Sequence, residues 1–395
     1  MTPAARLGAA VEVLDTVVAA ARDNGPAADT ILANYFKTRR YAGAKDRRAV
    51  RERVYAAIRL CGERPTTGRA AILALADAQP ELQPLFGDGP HAPPPPKPGE
   101  PRAEVGIAPK WLADALNAAG LSPEAQAALL ARAPLDIRAN TLRTTRDALL
   151  AELPAATVLP HDPDALRIVE NVAVEQLPPF LEGRAEVQDA GSQLVARAAG
   201  AAPGMRVVDL CAGGGGKTLA LAAHMGDEGA ILAADVDRTR LSRLAPRAAR
   251  AGVTIAETRL MNPGHEAQVL ADWSGTADLV LVDAPCSGTG TWRRNPEARW
   301  RLTPDRLQRL AETQTRLLDI AAALVRSGGA VTYIVCSLLD SEGADQAAAF
   351  TTRHPCWQAE PLGIAGGEPH GPGVRLHPAA SDTDGFFVAR LRRSW

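Results

Sequence analysis

Two cysteines that close two hydrophobic runs are the residues of this sequence best suited to chemistry. DLVLVDAPCSGTG, from Asp278 to Gly290, carries Cys286 just past its apolar run, and AVTYIVCS, from Ala330 to Ser337, carries Cys336 in the same place. A thiolate is a strong nucleophile, and two thiols over one substrate can share covalent attack and proton transfer. Free cysteine also packs as a small buried hydrophobe, but two at matching positions argue for a joint role. The runs from Leu279 to Val282 and from Val331 to Val335 suit strands buried on both faces, as in a parallel sheet. Ligands of open α/β sheets bind beyond the carboxyl ends of the strands, where both thiols would sit. Asp283, three residues before Cys286, would project from the same strand-to-loop turn.

The elements that position these residues follow from the rhythm after Val187. Strands are expected over 206–210, 230–234, 253–257, 277–283 and 330–335, and helices near 192–199, 218–225, 238–251 and 304–326. Such alternation indicates a doubly wound parallel sheet, a Rossmann-like α/β fold. The last helix has Thr303 at its cap, Pro304 at its first position and Gly328 beyond its end. GVRLHPAASDTDGFFVARL, near the carboxyl terminus, reads as a hairpin. DLCAGGGGKT, Asp209 to Thr218, follows the first strand and opens a helix, so its glycines let a ligand approach backbone N–H groups at a helix amino terminus. Asp235 ends the second strand, where a carboxylate accepts hydrogen bonds from ribose hydroxyls. Cys211 stands where Walker A needs glycine, and Thr218 where the dinucleotide fingerprint needs glycine or alanine, so the turn fits an adenosyl ligand better.

The chain has 395 residues and a net charge of −1, which excludes a globally basic nucleic-acid binder but not a local patch. Residues 1–86 are expected to form a helical domain. Within it, Ile31 to Leu60 holds nine basic side chains, Arg47 and Arg48 among them, against two acidic ones. Residues 87–102, GDGPHAPPPPKPGEPR, read as a Pro-rich linker, 103–186 as a mixed subdomain, and 187–395 as the Rossmann-like domain. Arg138 and Asn140 alternate onto one face of a short strand and suit phosphate or ribose contact. The five cysteines are odd in number, with no CxxC pair, so neither a disulfide framework nor a metal site is expected. The amino terminus lacks the order of a signal peptide and no apolar run is membrane-length, so a cytoplasmic protein with no membrane partner is expected.

A ribose-binding sheet with two thiols at its rim suggests methylation of an unactivated pyrimidine carbon. A thiolate adds to carbon 6 of cytosine, carbon 5 takes the methyl group, and a base removes the proton so that the thiol can leave. Asp283 would hydrogen-bond the cytosine edge, and a protonated carboxyl there would stabilise the adduct's negative charge. VQDAGSQL, DLCAGGGGKT, DAPCSGTG, VCS and DGFFVARL together resemble the RsmB/Nop/Sun family of S-adenosylmethionine-dependent RNA cytosine-5 methyltransferases. The resemblance implies a class I methyltransferase fold, Cys336 as nucleophile, and Cys286 assisting proton removal or release. It also implies a cofactor site lined by Cys211, Ala212, Gly213, Gly214, Gly215, Gly216 and Lys217 with Asp235 and Asp283. The first domain is similar to the NusB-like RNA-binding module of the bacterial 16S rRNA branch, with RYAGAKDRRAVRERVYAAIR as its signature segment.

RNA is thus the implied partner, ribosomal RNA ahead of transfer RNA, and a monomer is expected. In TWRRNPEARWR, the guanidinium groups of Arg293, Arg294, Arg299 and Arg301 would bind phosphate, and Trp292 and Trp300 would stack on an unpaired base. The sequence departs from the family pattern at Gly213-Gly214, usually Ala-Pro, at Val335, usually threonine, and at Met261-Asn262, where an aspartate usually stands near the adenine. These departures motivate rival readings: a non-catalytic RNA-binding or ribosome-assembly factor, a transfer RNA methyltransferase, or an enzyme acting on a small molecule.

Overall fold

The alternation of strand and helix resolves, in a computed structural model describing every residue except Asn24, Asp88, Pro154, Asn171 and Trp395, into a nine-stranded sheet. Its strands are β5 (Arg206–Asp209), β6 (Ala230–Asp235), β7 (Ala256–Leu260), β8 (Ala277–Asp283), β9 (Val325–Val335), β10 (Trp357–Glu360), β11 (Glu368–His370), β12 (Gly373–Leu376) and β13 (Phe386–Arg393). They lie in the order β11-β12-β13-β9-β8-β5-β6-β7, with β10 on β13. The pairs from β9 to β7 are parallel, whereas β13 runs antiparallel to β9 and β12. Before them, β1 (Leu135–Ala139), β2 (Ala156–Val158), β3 (Ala165–Ile168) and β4 (Ala185–Val187) make an antiparallel sheet in the order β2-β3-β1-β4.

The period of two along each strand sends alternate side chains into two cores. Val208, Leu232, Val280, Val282, Val331 and Tyr333 pack on one face with Leu317, Leu318 and Leu324 of helix Pro304–Leu324. Val207, Ile231, Leu279, Leu281 and Ile334 pack on the other with Leu194, Leu219, Leu221 and Leu244. Burial on both faces is why these strands read as continuous apolar runs.

The strand expected over 253–257 begins instead at Ala256. Gly252, left-handed with φ 77°, closes helix Leu244–Ala251, and the Val253 N–H donates to Ala248 O, so Val253 is the apolar residue that seals a helix end. The carboxyl-terminal hairpin forms as expected, with Val374 opposite Val388. No helix among the described residues is long and apolar enough to cross a membrane.

The chain divides into two compact units, Met1–Ala131 with Thr291–Thr303, and Arg132–Gly290 with Pro304–Trp395. In the first, α1 (Pro3–Arg22), α2 (Ala28–Lys37), α3 (Ala44–Leu60) and α4 (Gly68–Ala78) bury Leu7, Leu14, Ile31, Phe36, Val54, Ile58 and Ile72. A Cβ on Gly68 would collide with the Val11 carbonyl, so glycine there permits the close crossing of α1 and α4. The Pro-rich stretch is not a spacer, and the unit boundary falls after Ala131. Arg69 pairs with Glu100, the Ala103 N–H donates to Ala70 O, and the Gly62 N–H donates to Glu104 O, strapping the stretch along the helices.

The segment 291–303 lies in the helical unit, and this corrects its expected role. Arg299 is fully buried and donates to Ile58 O at 2.6 Å, to Cys61 O at 2.8 Å and to Pro296 O. Trp300 Nε1 donates to Cys61 O at 3.1 Å, and Arg301 donates to Gly25 O at 2.7 Å and Pro26 O at 2.8 Å. These guanidinium groups satisfy carbonyls left without partners where α3 ends and where the chain leaves α1. Trp292 is fully buried, Arg293 is 5% exposed, and neither Arg293 nor Arg294 is free of partners. The segment's arginines and tryptophans are therefore engaged by protein rather than held out for phosphate and bases.

Arg299→Leu is expected to strand the α3 carbonyls and destabilise the helical unit by about 1–3 kcal/mol. A lowered thermal unfolding midpoint, with RNA affinity unchanged in the folded variant, checks this.

Candidate active site

Parallel pairing aligns the carboxyl ends of four strands, and the sequence places a polar residue at or just past each. Asp209 ends β5, Asp235 ends β6, Asp283 ends β8, and Cys336 follows β9. Asp283 stands opposite Ile334 in the β8–β9 register, so the loops after these strands leave side by side. Gly290 N–H donates to Cys336 O at 3.0 Å, and Gly385 N–H donates to Gly290 O at 2.8 Å. A Cβ on Gly290 would collide with the Gly385 carbonyl, so only glycine lets these backbones cross.

The two thiols meet. Cys286 Sγ lies 3.4 Å from Cys336 Sγ, and both are half-buried. The hydrogen bond with Cys336, then burial, then the charges of Cys336 and Glu342 push the Cys286 thiol well above the usual cysteine value. Cys286 is therefore the member that keeps its proton. Lys217, expected with the glycine turn, reaches across to Asp283, Nζ to Oδ2 at 2.6 Å. Burial works against its ammonium, but Asp283, the Cys336 sulfur and Asp209 outweigh that and raise its pKa. The cation thus faces Cys336 and favours its thiolate. Asp283 is ion-paired, so the donor toward an anionic adduct is Lys217 rather than a protonated Asp283.

The glycine turn opens beside this pair. Gly213 and Gly215 are left-handed with φ 55° and 82°, and nothing lies within 4 Å of where a Cβ on Gly216 would stand. Asp235 accepts the Gly213 N–H on Oδ2 and the Asp237 N–H on Oδ1, each at 2.7 Å, leaving a lone pair on each oxygen for ribose hydroxyls. Burial first, then Asp235, Asp283 and Asp209, push the Cys211 thiol well above its usual value. Three carboxylates against Lys217 suit a ligand that carries positive charge and vicinal hydroxyls. Ala212 and Gly214 belong to the same turn, with the Ala212 N–H on Ala234 O at 3.0 Å. Met261, where the pattern expected an acid, is 2% exposed in the core, while Asn262 is on the surface.

Arg138 is 2% exposed and donates to Gln188 at 2.8 Å, and Asn140 is buried on Gly183 O and Ala251 O, so neither offers the surface contact expected of it. Arg47 and Arg48 are exposed on α3 with Lys45 and Arg51, and Tyr41 is 73% exposed just before them. The sequence reading missed Glu342, Ser287, Ser337 and Gln314, which pack beneath the thiols. The repeated Cys-Ser at Cys286-Ser287 and Cys336-Ser337 was the available signal.

Residues 200–392 match the family model described as 16S rRNA methyltransferase RsmB/F. The chain is 38% identical over 273 residues to a probable ribosomal RNA small subunit methyltransferase B of Synechocystis sp., covering 66% of this chain and 60% of the relative. It is 38% identical over 296 residues to the ribosomal RNA small subunit methyltransferase B of Xanthomonas campestris pv. campestris, covering 72% and 66%. The chain thus spans about three fifths to two thirds of the length of these curated relatives. The crystal structure of a methyltransferase homolog protein from Pyrococcus horikoshii superposes with a TM-score of 0.60 at 26% identity, covering 72% of this chain and 99% of the other.

Asp209 titrates the stability of this rim. It is fully buried, accepts Thr218 Oγ1 at 2.6 Å on Oδ2, and has no partner on Oδ1. Burial pushes its carboxyl from 3.8 up to about 7. The folded chain holds this proton more tightly than the unfolded one, so the contribution is complete below about pH 4 and lost as pH rises through about 7. Wild type is expected to lose roughly 2–3 kcal/mol from this group between about pH 5 and 8. Asp209→Asn removes that loss, and unfolding midpoints at the two pH values check it.

Proposed function

The chain belongs, through residues 200–392, to the 16S rRNA methyltransferase RsmB/F family, and from that premise we propose that it methylates carbon 5 of a cytidine in small-subunit ribosomal RNA, with S-adenosylmethionine as cofactor. The 3.4 Å contact between Cys286 and Cys336 carries this reading, because cytosine offers no activated carbon and needs a nucleophile and a base on one ring. The turn fits the cofactor: Asp235 accepts from the ribose, the space at Gly216 admits the ligand, and the carboxylates favour a sulfonium. When bound, the cofactor supplies an electrophilic methyl group.

Cys336, ionised beside Lys217, adds to carbon 6, and the ring's electron pair moves toward carbon 5 and the carbonyl edge. Lys217 and Asp283 face that edge, donating to and accepting from the base. After methyl transfer, carbon 5 carries a methyl group and a proton, and the proton must leave before the sulfur can be expelled. Cys336 is then a thioether, so the hydrogen bond and charge that kept Cys286 protonated are gone. Cys286 loses its proton to water, takes the proton of carbon 5, and the carbon–sulfur bond breaks as the double bond re-forms.

The exposed Arg47, Arg48, Lys45 and Arg51, with Tyr41 among them, support RNA binding by the helical unit. Such residues contact phosphate and a stacked base without specifying sequence.

Cys336→Ala is expected to abolish both methyl transfer and covalent adduct. Cys286→Ala is expected to accumulate an RNA–protein adduct, seen as a denaturing-gel shift; adduct kept by Cys336→Ala and lost by Cys286→Ala would reverse the roles. Calorimetry that finds no cofactor binding at millimolar concentration would favour a non-catalytic assembly factor. Arg47→Glu with Arg48→Glu is expected to weaken binding to transcribed 16S rRNA. The slope of log affinity against log salt should fall by roughly 1 for each arginine that meets a phosphate.

A further inference from the structure

Beneath the two thiols lies a charged side chain that the chemistry above does not use. Glu342, on the short turn Asp340–Glu342 after β9, is fully buried. Its Oε1 accepts the Ser287 N–H at 2.8 Å and Gln314 Nε2 at 3.1 Å, and its Oε2 accepts Ser337 Oγ at 2.6 Å and Ser287 Oγ. A carboxylate is an acceptor with about four sites, and here neutral donors fill them all. Two of those donors belong to Ser287, next to Cys286, and one to Ser337, next to Cys336. Gln314 also holds Pro285 O at 3.0 Å, and Tyr333 Oη donates to the Glu342 carbonyl, anchoring the clamp to helix Pro304–Leu324 and to β9.

We propose that Glu342 is a positioning residue for the thiol pair: its carboxylate ties the loop after β8 to the loop after β9 and so holds the two sulfurs in contact. Burying a carboxylate without a cation costs several kcal/mol. A plain fold contact would need only an apolar side chain, whereas an acceptor-only group is what two loops presenting hydroxyls and an N–H require. The tie is lopsided, with two bonds to the Cys286 side and one to the Cys336 side. Its charge is also among the causes that keep Cys286 protonated, after the Cys336 hydrogen bond and burial. The titratable groups facing Cys286 are Cys336, Glu342 and the Tyr333 hydroxyl, and Lys217 faces Cys336.

The role rests on the methyltransferase reading for its kinetic consequence but not for its chemical one. Two variants of the full chain separate them. Glu342→Ala removes the tie; Glu342→Gln keeps an oxygen for Ser287 N–H and Gln314, turns its amide toward two hydroxyls that can accept, and removes only the charge. Dibromobimane, which bridges neighbouring thiols, reports sulfur contact by peptide mapping and needs no RNA. With Glu342→Ala the Cys286–Cys336 bridge is expected to be lost and kcat on transcribed 16S rRNA to fall by about a hundredfold, with KM and cofactor affinity unchanged. With Glu342→Gln the bridge is expected to persist, while the pH profile of Cys286 alkylation moves to lower pH. A bridge and kcat kept by Glu342→Ala, or an alkylation profile unmoved in Glu342→Gln, overturns the proposal. If Glu342→Ala no longer binds cofactor and has not folded, the Glu342→Gln profile decides alone. If wild type transfers no methyl group to the RNA, the proposed function falls, and bridging and alkylation still decide the role of Glu342.

Discussion

The rim is governed by one constraint: two sulfur atoms from loops fifty residues apart in sequence must stay within 3.4 Å. Neither loop is held by regular structure at the cysteine itself. The sheet brings Asp283 beside Ile334 and leaves the chain free three residues before Cys286 and one before Cys336. Beyond that point the contact depends on short-range ties: Gly290 to the Cys336 carbonyl, Leu338 N–H to Thr289 Oγ1 at 2.8 Å, and the serines on Glu342. A pair of loops this small cannot bury an apolar core of its own, so polar groups with defined directions do the holding.

Charge is then distributed unevenly around the two sulfurs. Lys217 lies on the Cys336 side and Glu342 on the Cys286 side. Two identical thiols in one pocket thereby become a nucleophile and a proton carrier, without any difference in residue type. Further along the rim, Asp209, Asp235 and Asp283 raise the Cys211 thiol, so the cofactor end is a poor place for an anion and a good one for a cation. Lys217 stands between the two regions, held by Asp283 of one and turned toward Cys336 of the other.

The sheet was readable because burial on both faces writes Val, Ile and Leu continuously along the chain, and the helix from Pro304 because its cap and periodicity agree. The cysteines and the glycine turn were readable because strand ends fix where they emerge. What escaped was partnership. Arg299 and Trp300 read as RNA ligands, yet helix-end carbonyls offer a guanidinium the same oxygens as phosphates do, and composition does not distinguish them. Arg138 failed in the same way, its donor taken by Gln188. The Pro-rich stretch had the composition of a spacer, but Arg69 on Glu100 and the bonds of Ala103 and Glu104 lay it along the helices. Glu342 left no trace at all, since an acid before a glycine in a polar turn is the commonest surface pattern.

The exchange of Ala-Pro for Gly213-Gly214 has a physical reading of its own. Proline at the second position would fix φ near about −65° and push the first toward extended backbone. Here the first is left-handed at φ 55°, so the turn is built on a different backbone path that alanine would strain. The space beside it is taken by the Arg240 guanidinium, whose Nη2 lies where a Cβ on Gly213 would stand, and Arg247 donates to the Gly214 carbonyl. Arg240 alone among the neighbours that act on Cys211 favours its ionised form. The glycines therefore do more than loosen the turn. They admit a cation to its outer wall, which offsets part of the acidity of Asp209, Asp235 and Asp283 and leaves the far end of the rim less negative than those carboxylates alone would make it.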